Sequence, residues 1–266
     1  MNEMKTLEES IATAMEIDYL EHQALFPHLP YILQDSWEIG TPPEAVINII
    51  QKHCPVETGH APSLQILDLG CGKGAVSVKV AATLKCNCYG IDGISEFIEI
   101  CKAKAQEYDV ETLCRFEVGD IREKIETLDK FDVIILGAIG QAFGDYYATL
   151  STLSEHLTPN GIIIINDAYA DDTIECKHPL VLHLQDLLRQ TQQAGMELID
   201  ECTDAPTNYA AEYENLQKRC KELMIKYPEK ASLFERYAHS QVDEYDALEN
   251  RMICSMMVFK KMTINR

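Results

Sequence analysis

The fold is decided by the stretch Ile66-Leu67-Asp68-Leu69-Gly70-Cys71-Gly72-Lys73-Gly74. Its first half is an apolar, strand-like run, and its second half places three glycines directly before a helical pattern. Glycine lets the backbone turn tightly and approach a ligand that a Cβ atom would block. The stretch therefore predicts a ligand-binding loop between a strand and a helix.

Around this loop, short β-branched runs alternate with longer helical ones from residue 64 onward. This alternation is typical of parallel strands joined by crossover helices. Strands are predicted at 64–69, 87–91, 112–118, 131–136, 161–166, 196–199 and 252–259. The predicted fold class is therefore α/β, with a seven-stranded Rossmann-like sheet.

We interpret the chain as one domain, 1–266, with helical additions at both ends. Its predicted parts are an N-terminal helical cap at 1–60, a Rossmann-like core at 61–202, a helical insertion or lid at 203–249 and a final strand at 250–262. The insertion is rich in Glu, Lys and Tyr, and we expect two helices broken at Tyr227-Pro228. Before the core, Thr41, Pro42 and Glu44 resemble a capping box with proline at the first helical position.

The charge of the chain bears on its partners. It has 23 Lys and Arg against 43 Asp and Glu, a formal net charge of -20. Such a charge repels phosphate backbones and anionic lipid surfaces, which disfavours nucleic acid or a membrane as the main partner. We also see no apolar run of roughly 20 residues and no signal-peptide pattern, so we expect a cytoplasmic protein. The charged insertion is expected to form a lid, a homodimer surface or a solvated hairpin.

The ten cysteines are scattered along the chain. We expect Cys86 and Cys88 to face opposite ways on a strand, which argues against a zinc pair. Reduced, mostly buried thiols are the ordinary state of such residues in a reducing compartment. No metal site is therefore predicted.

The glycine loop by itself leaves two ligands open. Gly70, Gly72 and Ala75 also satisfy the dinucleotide-binding pattern G-x-G-x-x-G/A. A dinucleotide loop has to seat a pyrophosphate, whereas S-adenosylmethionine carries an ammonium group and no phosphate. The acid at Asp68, directly beside the loop, suits the second ligand.

Two further acids follow the next strands in order. Asp92 ends the second strand, where a carboxylate can accept hydrogen bonds from both ribose hydroxyls of either ligand. Asp120 follows the third strand and offers a carboxylate to an adenine amino group, with Ile121 as an apolar wall. The three acids together favour S-adenosylmethionine.

With these motifs in order, the chain resembles the class I S-adenosylmethionine-dependent methyltransferases, over roughly residues 36–200 plus the final strand. The resemblance implies a mostly parallel sheet, with the last strand antiparallel beside the fifth, and methyl transfer that produces S-adenosylhomocysteine. It also implies a segment before the core that closes over the cofactor. The cofactor-binding residues that it implies are Asp68, Gly70, Cys71, Gly72, Gly74, Asp92, Gly93, Asp120, Ile121, Gly137, Ala138, Trp37 and Thr41.

The acceptor side is less defined. Many amino-group methyltransferases carry an Asn/Asp-Pro-Pro-Tyr/Phe signature after the fourth strand, and residues 136–143 lack it, which disfavours methylation of nucleic-acid bases. Asp167 and Tyr169 follow the fifth strand, at the sheet edge where ligands of open α/β folds gather. Either residue is a candidate to contact the acceptor or take its proton, and a solvated acidic loop is the alternative. His178 is a further candidate base, although such a histidine is more often a surface or helix residue.

A small-molecule acceptor is the main expectation, with its reacting atom left open. Three alternatives stay open at this point. They are an NAD(P)-dependent oxidoreductase, a class I fold that binds S-adenosylmethionine for a regulatory or non-methyltransfer role, and a protein methyltransferase.

Overall fold

A computed structural model describes residues 24–54, 64–139, 142–170, 182–203 and 209–263. Its strands are β1 (Gln65–Leu69), β2 (Asn87–Asp92), β3 (Cys114–Val118), β4 (Phe131–Gly137), β5 (Leu157–Tyr169), β6 (Met196–Cys202) and β7 (Ile253–Lys261). They form one sheet in the order β3-β2-β1-β4-β5-β7-β6. Strand β7 is antiparallel to both of its neighbours, and the pairs among β1 to β5 are parallel. The predicted fold class is confirmed.

The helices are α1 (Leu29–Ile32), α2 (Pro43–His53), α3 (Ala75–Leu84), α4 (Ser95–Glu107), α5 (Ile121–Ile125), α6 (Tyr146–Glu155), α7 (Leu184–Gln193), α8 (Tyr209–Lys226) and α9 (Ala231–Asn250). A short 3-10 turn, Pro228–Lys230, separates α8 from α9, as the Tyr227-Pro228 break predicts. Within the described ranges, no helix has the length and apolar character that crossing a membrane requires.

Both faces of the sheet are buried. In β4, Ile134 and Leu136 face a core cluster with α6 and α7, while Val133 and Ile135 face a second cluster with α2 and α3. A strand covered on both sides has no polar face, which is why β4 and β5 read as nearly continuous apolar runs. The helices on both sides leave the carboxyl ends of the strands as the edge at which loops collect.

A third apolar cluster lies beside this edge. It joins α1 to α8 and α9, and it includes Phe97 of α4 together with Ile94, two residues beyond β2. Leu29, Leu216 and Phe234 are its deeply buried members. From here on, the cap means this unit alone, the N-terminal segment from residue 24 packed on α8 and α9. Through Ile94 and Phe97 the cap is anchored next to the carboxyl end of β2.

Strand β5 is longer than the sequence predicts. The predicted strand at 161–166 is extended at both ends because Leu157 pairs with Phe131 and Tyr169 pairs with Ile253 of β7. The prediction began at Gly161 because Pro159 and Gly161 are typical of a turn. Pairing with two neighbouring strands outweighs that local preference.

The predicted capping box before α2 is wrong. The N-cap residue is Pro42, and no side chain caps this helix. The Thr41 hydroxyl instead accepts a hydrogen bond from the Asn166 side-chain amide at 3.1 Å. Thr41 is thereby bound to the end of β5 and leaves the N-terminus of α2 without a side-chain acceptor.

The predicted orientation of two cysteines is also wrong. The Sγ atoms of Cys86 and Cys88 lie 4.0 Å apart, because residues two apart along an extended chain share a face. The pair is buried, and among the described residues no group of three or more metal-ligating side chains is placed to hold an ion.

Candidate functional site

The glycine loop, residues 70–74, connects β1 to α3. Gly74 has a φ of 76°, and a Cβ there would lie 2.8 Å from Cys101 Sγ, so the loop packs tightly on α4. Gly72 has a φ of 53°, and a Cβ there would meet no atom within 4 Å. The loop is therefore closed against the protein at Gly74 and open at Gly72, as a ligand cradle requires.

Cys71 and Gly70 attach this loop to the next strand. The backbone N–H groups of both residues donate to the carbonyl of Ile91, that of Gly70 at 2.9 Å and that of Cys71 at 3.0 Å. The Cys71 thiol is buried, and its hydrogen bond with Cys101 and its burial hold its pKa well above the ordinary value. A protonated, buried thiol acts as a small apolar group here.

Asp92 faces the loop from the end of β2. Its Oδ2 accepts the N–H of Gly72 at 2.9 Å, and its Oδ1 accepts the N–H of Ile94 across Gly93, also at 2.9 Å. Burial raises the pKa of Asp92 to about 6, with the two backbone N–H groups opposing the shift. Each carboxylate oxygen has a second lone pair, so both can still accept a ligand hydroxyl.

Asp68 lies beneath the loop at the end of β1. It is buried, and its Oδ2 accepts the hydroxyl of Ser77 on α3 at 2.6 Å. Burial raises the pKa of Asp68 to about 6, and the hydrogen bonds from Ser77 oppose that shift. The carboxylate is placed to hold the loop against α3, and its predicted contact with a ligand ammonium remains a prediction.

Asp120 is bound to a cation of its own helix. It is the N-cap of α5, and its Oδ2 lies 2.5 Å from Nη2 of Arg122. Burial opposes ionisation of Asp120, but its hydrogen bonds from Arg122 prevail and lower its pKa. Ile121 beside it packs on the core. The structure thus brings both residues to the predicted edge, with the Asp120 carboxylate already neutralised by Arg122.

The end of β4 is covered by the segment before the core. A Cβ at Gly137 would lie 2.5 Å from the hydroxyl oxygen of Thr41, so this glycine permits a close approach. Ala138 has a φ of 53°, a conformation that residues with a side chain rarely adopt. Asn166 joins the segment before the core to the end of β4. Its side-chain amide donates to the Gly40 carbonyl at 3.1 Å, and its backbone carbonyl accepts the N–H of Ala138 at 3.0 Å.

Trp37 and Lys73 form another contact between this segment and the loop. The indole Nε1 donates to the carbonyl of Lys73 at 3.0 Å. The Trp37 ring lies under the ammonium groups of Lys79 and Lys104, 5.7 and 4.8 Å from the ring centroid. Trp37 is therefore packed between the loop and α3 and α4, and its predicted contact with a cofactor remains a prediction.

Asp167 on β5 is a buried carboxylate near the carboxyl edge. Its Oδ2 accepts the hydroxyl of Tyr146, the first residue of α6, at 3.0 Å. Burial raises the pKa of Asp167 above its ordinary value, although hydrogen bonds from Ala168 and Tyr146 oppose the shift. A carboxylate with a raised pKa is a stronger base than a solvated one.

The other two predicted acceptor residues have different outcomes. The Tyr169 hydroxyl donates to Glu201 of β6 at 2.7 Å, and Ser255 of β7 donates to the same oxygen at 2.7 Å. Tyr169 is thus bound within the sheet. His178 lies outside the described residues. His183, the N-cap of α7, is joined to Ala170 by an isolated bridge.

Sequence reasoning missed four residues that organise the site: Ser77, Lys73, Tyr146 and Asn166. Lys73 offered the one usable signal, because a cation inside a glycine loop next to an apolar strand needs a partner. The other three are ordinary polar residues whose partners lie 9, 21 and more than 120 positions away. Nothing in their local sequence distinguishes them from surface residues.

Three features define a Rossmann-like methyltransferase fold. They are the strand order, the glycine loop, and Asp92, which faces that loop from the end of β2. A family model described as "Methyltransferase domain" matches residues 60–241, more than half of the chain. The chain belongs to this methyltransferase family.

The chain is also similar in sequence to individual curated proteins. The chain is 30% identical, over 121 residues, to a ubiquinone biosynthesis O-methyltransferase of Rickettsia akari, a match that covers 44% of this chain and 45% of that protein. It is 31% identical, over 113 residues, to a carboxy-S-adenosyl-L-methionine synthase of Vibrio atlanticus, with 41% and 46% covered. The matched stretch thus spans about half the length of these curated relatives.

A solved structure matches over a larger share. It is an S-adenosylmethionine-dependent methyltransferase of Geobacter sulfurreducens in complex with S-adenosyl-L-homocysteine. The TM-score is 0.71 at 18% identity, with 88% of this chain and 98% of that chain covered. At this identity the likeness establishes the fold.

Proposed function

We propose that this protein transfers the methyl group of S-adenosylmethionine to a small-molecule acceptor and releases S-adenosylhomocysteine. The observation that carries the proposal is the open space at Gly72, whose N–H is held by Asp92 at 2.9 Å. This cradle lies where the strand order reverses, between β1 and β4, which is the position at which open α/β sheets bind ligands. Membership of the methyltransferase family supports the cofactor.

The residues present fit S-adenosylmethionine. Asp92 would hold the ribose hydroxyls through the second lone pairs of its two oxygens. Gly72 and the strained end of β4 at Gly137 and Ala138 would lie along the methionine part. Asp68 would compensate the charge of its ammonium group. Ile121 would provide the apolar wall of the adenine site. Asp120 would accept a hydrogen bond from the adenine amino group while it stays paired with Arg122.

When bound, the cofactor would supply an electrophilic methyl group on a sulfonium, and attack on that carbon in line with its bond to sulfur would release S-adenosylhomocysteine. The protein's task is then to align the acceptor and exclude water. Gly40 and Thr41, held by Asn166, cover the end of β4 and keep water from that side. If the acceptor carries a proton, Asp167 would take it, with Tyr146 donating a hydrogen bond that keeps the carboxylate oriented.

Calorimetry and product analysis test the proposal together. We expect binding of S-adenosylmethionine and S-adenosylhomocysteine, no binding of NAD, and release of S-adenosylhomocysteine with an acceptor from a panel of small hydroxy, amino and carboxylic compounds. Asp92→Ala should weaken cofactor binding by about 1–3 kcal/mol, the usual cost of lost hydrogen bonds to a charged group. The exposed Asp186→Asn serves as a control, because its side chain pairs with Arg189 on the surface of α7. Binding of NAD without S-adenosylmethionine would sink the proposal.

A second candidate is cofactor chemistry other than methyl transfer. The name of the Vibrio atlanticus relative, a carboxy-S-adenosyl-L-methionine synthase, favours it, since the product there is a modified cofactor. The cofactor side of the site would be the same in both cases. Mass spectrometry of the nucleoside product separates the two: S-adenosylhomocysteine indicates methyl transfer, and a heavier sulfonium indicates the alternative.

The remaining expectations concern the setting of the reaction. A net charge of -20 supports a small or cationic acceptor over nucleic acid, and it leaves a basic protein target as an alternative. A cytoplasmic location and a homodimer through the charged insertion at 203–249 remain predictions. Labelled cofactor incubated with cell extract would distinguish methylated protein from methylated small molecules.

A further inference from the structure

Lys73, in the middle of the glycine loop, has a side chain that points away from the cradle. It is 3% exposed, and its ammonium group donates to the carbonyl oxygens of Leu33 and Ser36, the latter at 2.6 Å. The ring of Phe97 lies 5.6 Å from the same nitrogen. No carboxylate among the described residues forms an ion pair with Lys73, so the buried charge is held by backbone carbonyls.

Leu33 is the residue that ends α1, and Ser36 lies three residues further along the chain. The last carbonyls of a helix have no partner within the helix, and a cation placed there satisfies them and suits the helix dipole. Burial lowers the pKa of Lys73 to about 8, against the opposing charge of Asp35. Burying an ammonium group is unfavourable unless it is hydrogen-bonded, so the two carbonyl partners have to stay in place.

The backbone of Lys73 binds the same segment a second time. Its carbonyl accepts the indole N–H of Trp37 at 3.0 Å. One residue of the cofactor loop thus holds residues 33–37 from its side chain and from its backbone. We call this pair of contacts the clasp.

The segment continues from the clasp to the end of β4. Four residues after Trp37, Thr41 lies against Gly137 and is bound by Asn166. In the other direction, Asp35 forms two hydrogen bonds to Arg219 of α8, at 2.5 and 2.7 Å. The clasp is therefore the point at which the cofactor loop, the covering segment and the cap are joined.

We infer that Lys73 is a positioning residue, which fixes residues 33–41 over the cofactor site and so couples closure of the cap to cofactor binding. This inference rests on the proposed function for its ligand. The ammonium group of Lys73 is occupied by the carbonyls of Leu33 and Ser36. Lys73 acts through Trp37 and Thr41, whose placement it determines.

The test uses Lys73→Met, which keeps the length and removes the donor. Trp37 is the only tryptophan of the chain, so intrinsic fluorescence reports on the clasp directly. We expect a red-shifted emission and stronger acrylamide quenching, with binding of S-adenosylhomocysteine weakened at least tenfold, in a protein whose circular dichroism is native. Lys73→Arg, which keeps the charge and donors, should recover part of both signals.

Lys102→Met is the matched control, because Lys102 lies on α4 with its side chain half exposed and pairs with Glu99 on the same helix. It should behave as the wild type in every assay. A folded Lys73→Met protein with unchanged emission, quenching and affinity overturns the inference. If Lys73→Met does not fold, Lys73→Gln takes its place with the same readouts. If the wild type binds neither S-adenosylmethionine nor its product, the proposed function fails, and the tryptophan signals alone then decide the clasp.

Discussion

Among single residues, Asp68 shows how a buried carboxylate lowers the unfolding free energy of the protein. Its carboxylate is 3% exposed and is hydrogen-bonded only by Ser77 among the described residues. Its pKa is raised by burial to about 6, above the ordinary 3.8, so between pH 4 and 6 the folded state binds more protons than the unfolded state. The unfolding free energy therefore falls as pH rises through this window. At neutral pH the folded protein carries a buried charge that the cofactor ammonium would compensate.

Asp68→Asn should remove this cost. We expect its unfolding free energy to exceed that of the wild type by about 3 kcal/mol at pH 7.5, since the pKa rises from 3.8 to about 6 and each pKa unit corresponds to roughly 1.4 kcal/mol. The gain should vanish near pH 4, where the wild-type carboxyl is protonated. Urea unfolding at both pH values measures the difference, and calorimetry should show weaker cofactor binding. Equal gains at both pH values would contradict the raised pKa, and Asp186→Asn gives the baseline for an exposed acid.

At the scale of the element, the loop between β1 and α3 gives two glycines different tasks. A side chain at Gly74 would collide with Cys101, whereas a side chain at Gly72 would enter open space. Both residues have positive φ, at 76° and 53°, so alanine is strained at either position. The local sequence is the same, glycine between longer residues, and only the neighbour decides the consequence.

Gly74→Ala and Gly72→Ala should therefore fail in different ways. We expect Gly74→Ala to lose about 2–3 kcal/mol of unfolding free energy from backbone strain and overpacking, part of which Cys101→Ala should restore. Gly72→Ala should lose about 1 kcal/mol and yet bind S-adenosylhomocysteine more than tenfold more weakly, because its methyl group occupies the cradle. Chemical denaturation and calorimetry on both variants check this. Undiminished affinity in Gly72→Ala would show that the cradle does not receive the ligand.

The elements themselves were largely predictable. The pattern of apolar residues predicted all seven strands, because it reflects which face each segment buries. The proline at residue 228 predicted the break between α8 and α9. Two errors came from reading local chemistry alone. Thr41 was expected to cap α2 and instead binds Asn166, and β5 was expected to begin at Gly161 and instead begins at Leu157. In each case a partner distant in sequence replaced the local one.

At the scale of the whole molecule, the cap has its own apolar cluster beside the two cores of the sheet. Phe234 of α9 is fully buried in it and packs edge-on against His28, with ring centroids 5.0 Å apart. The cluster also contains Phe97 of α4, which lies next to the ammonium group of Lys73. Packing in the cap thus supports the segment that covers the cofactor site.

Phe234→Ala should weaken both stability and binding. Truncation of a buried phenylalanine costs about 3–5 kcal/mol, and here it also loosens the covering segment, so we expect at least tenfold weaker cofactor binding. Leu153→Ala is the control, because Leu153 of α6 is equally buried but packs in the cluster between α6 and the sheet. It should lose about 2–5 kcal/mol with little change in affinity. Denaturation and calorimetry measure both, and equal affinities for the two variants would separate the cap from binding.

Local patterns in the sequence were enough to predict the sheet, the glycine loop and the order of the acids Asp68, Asp92 and Asp120. These follow from periodicity and turn chemistry, which act over a few residues. The contacts of Lys73 with residues 37 and 40 positions away, and of Asn166 with Gly40, 126 positions away, arise only when the chain folds. Such partners depend on how the cap and the sheet pack, and local propensity carries no information about that packing. For this reason the cofactor class was readable from the sequence, while the means of closing the site was not.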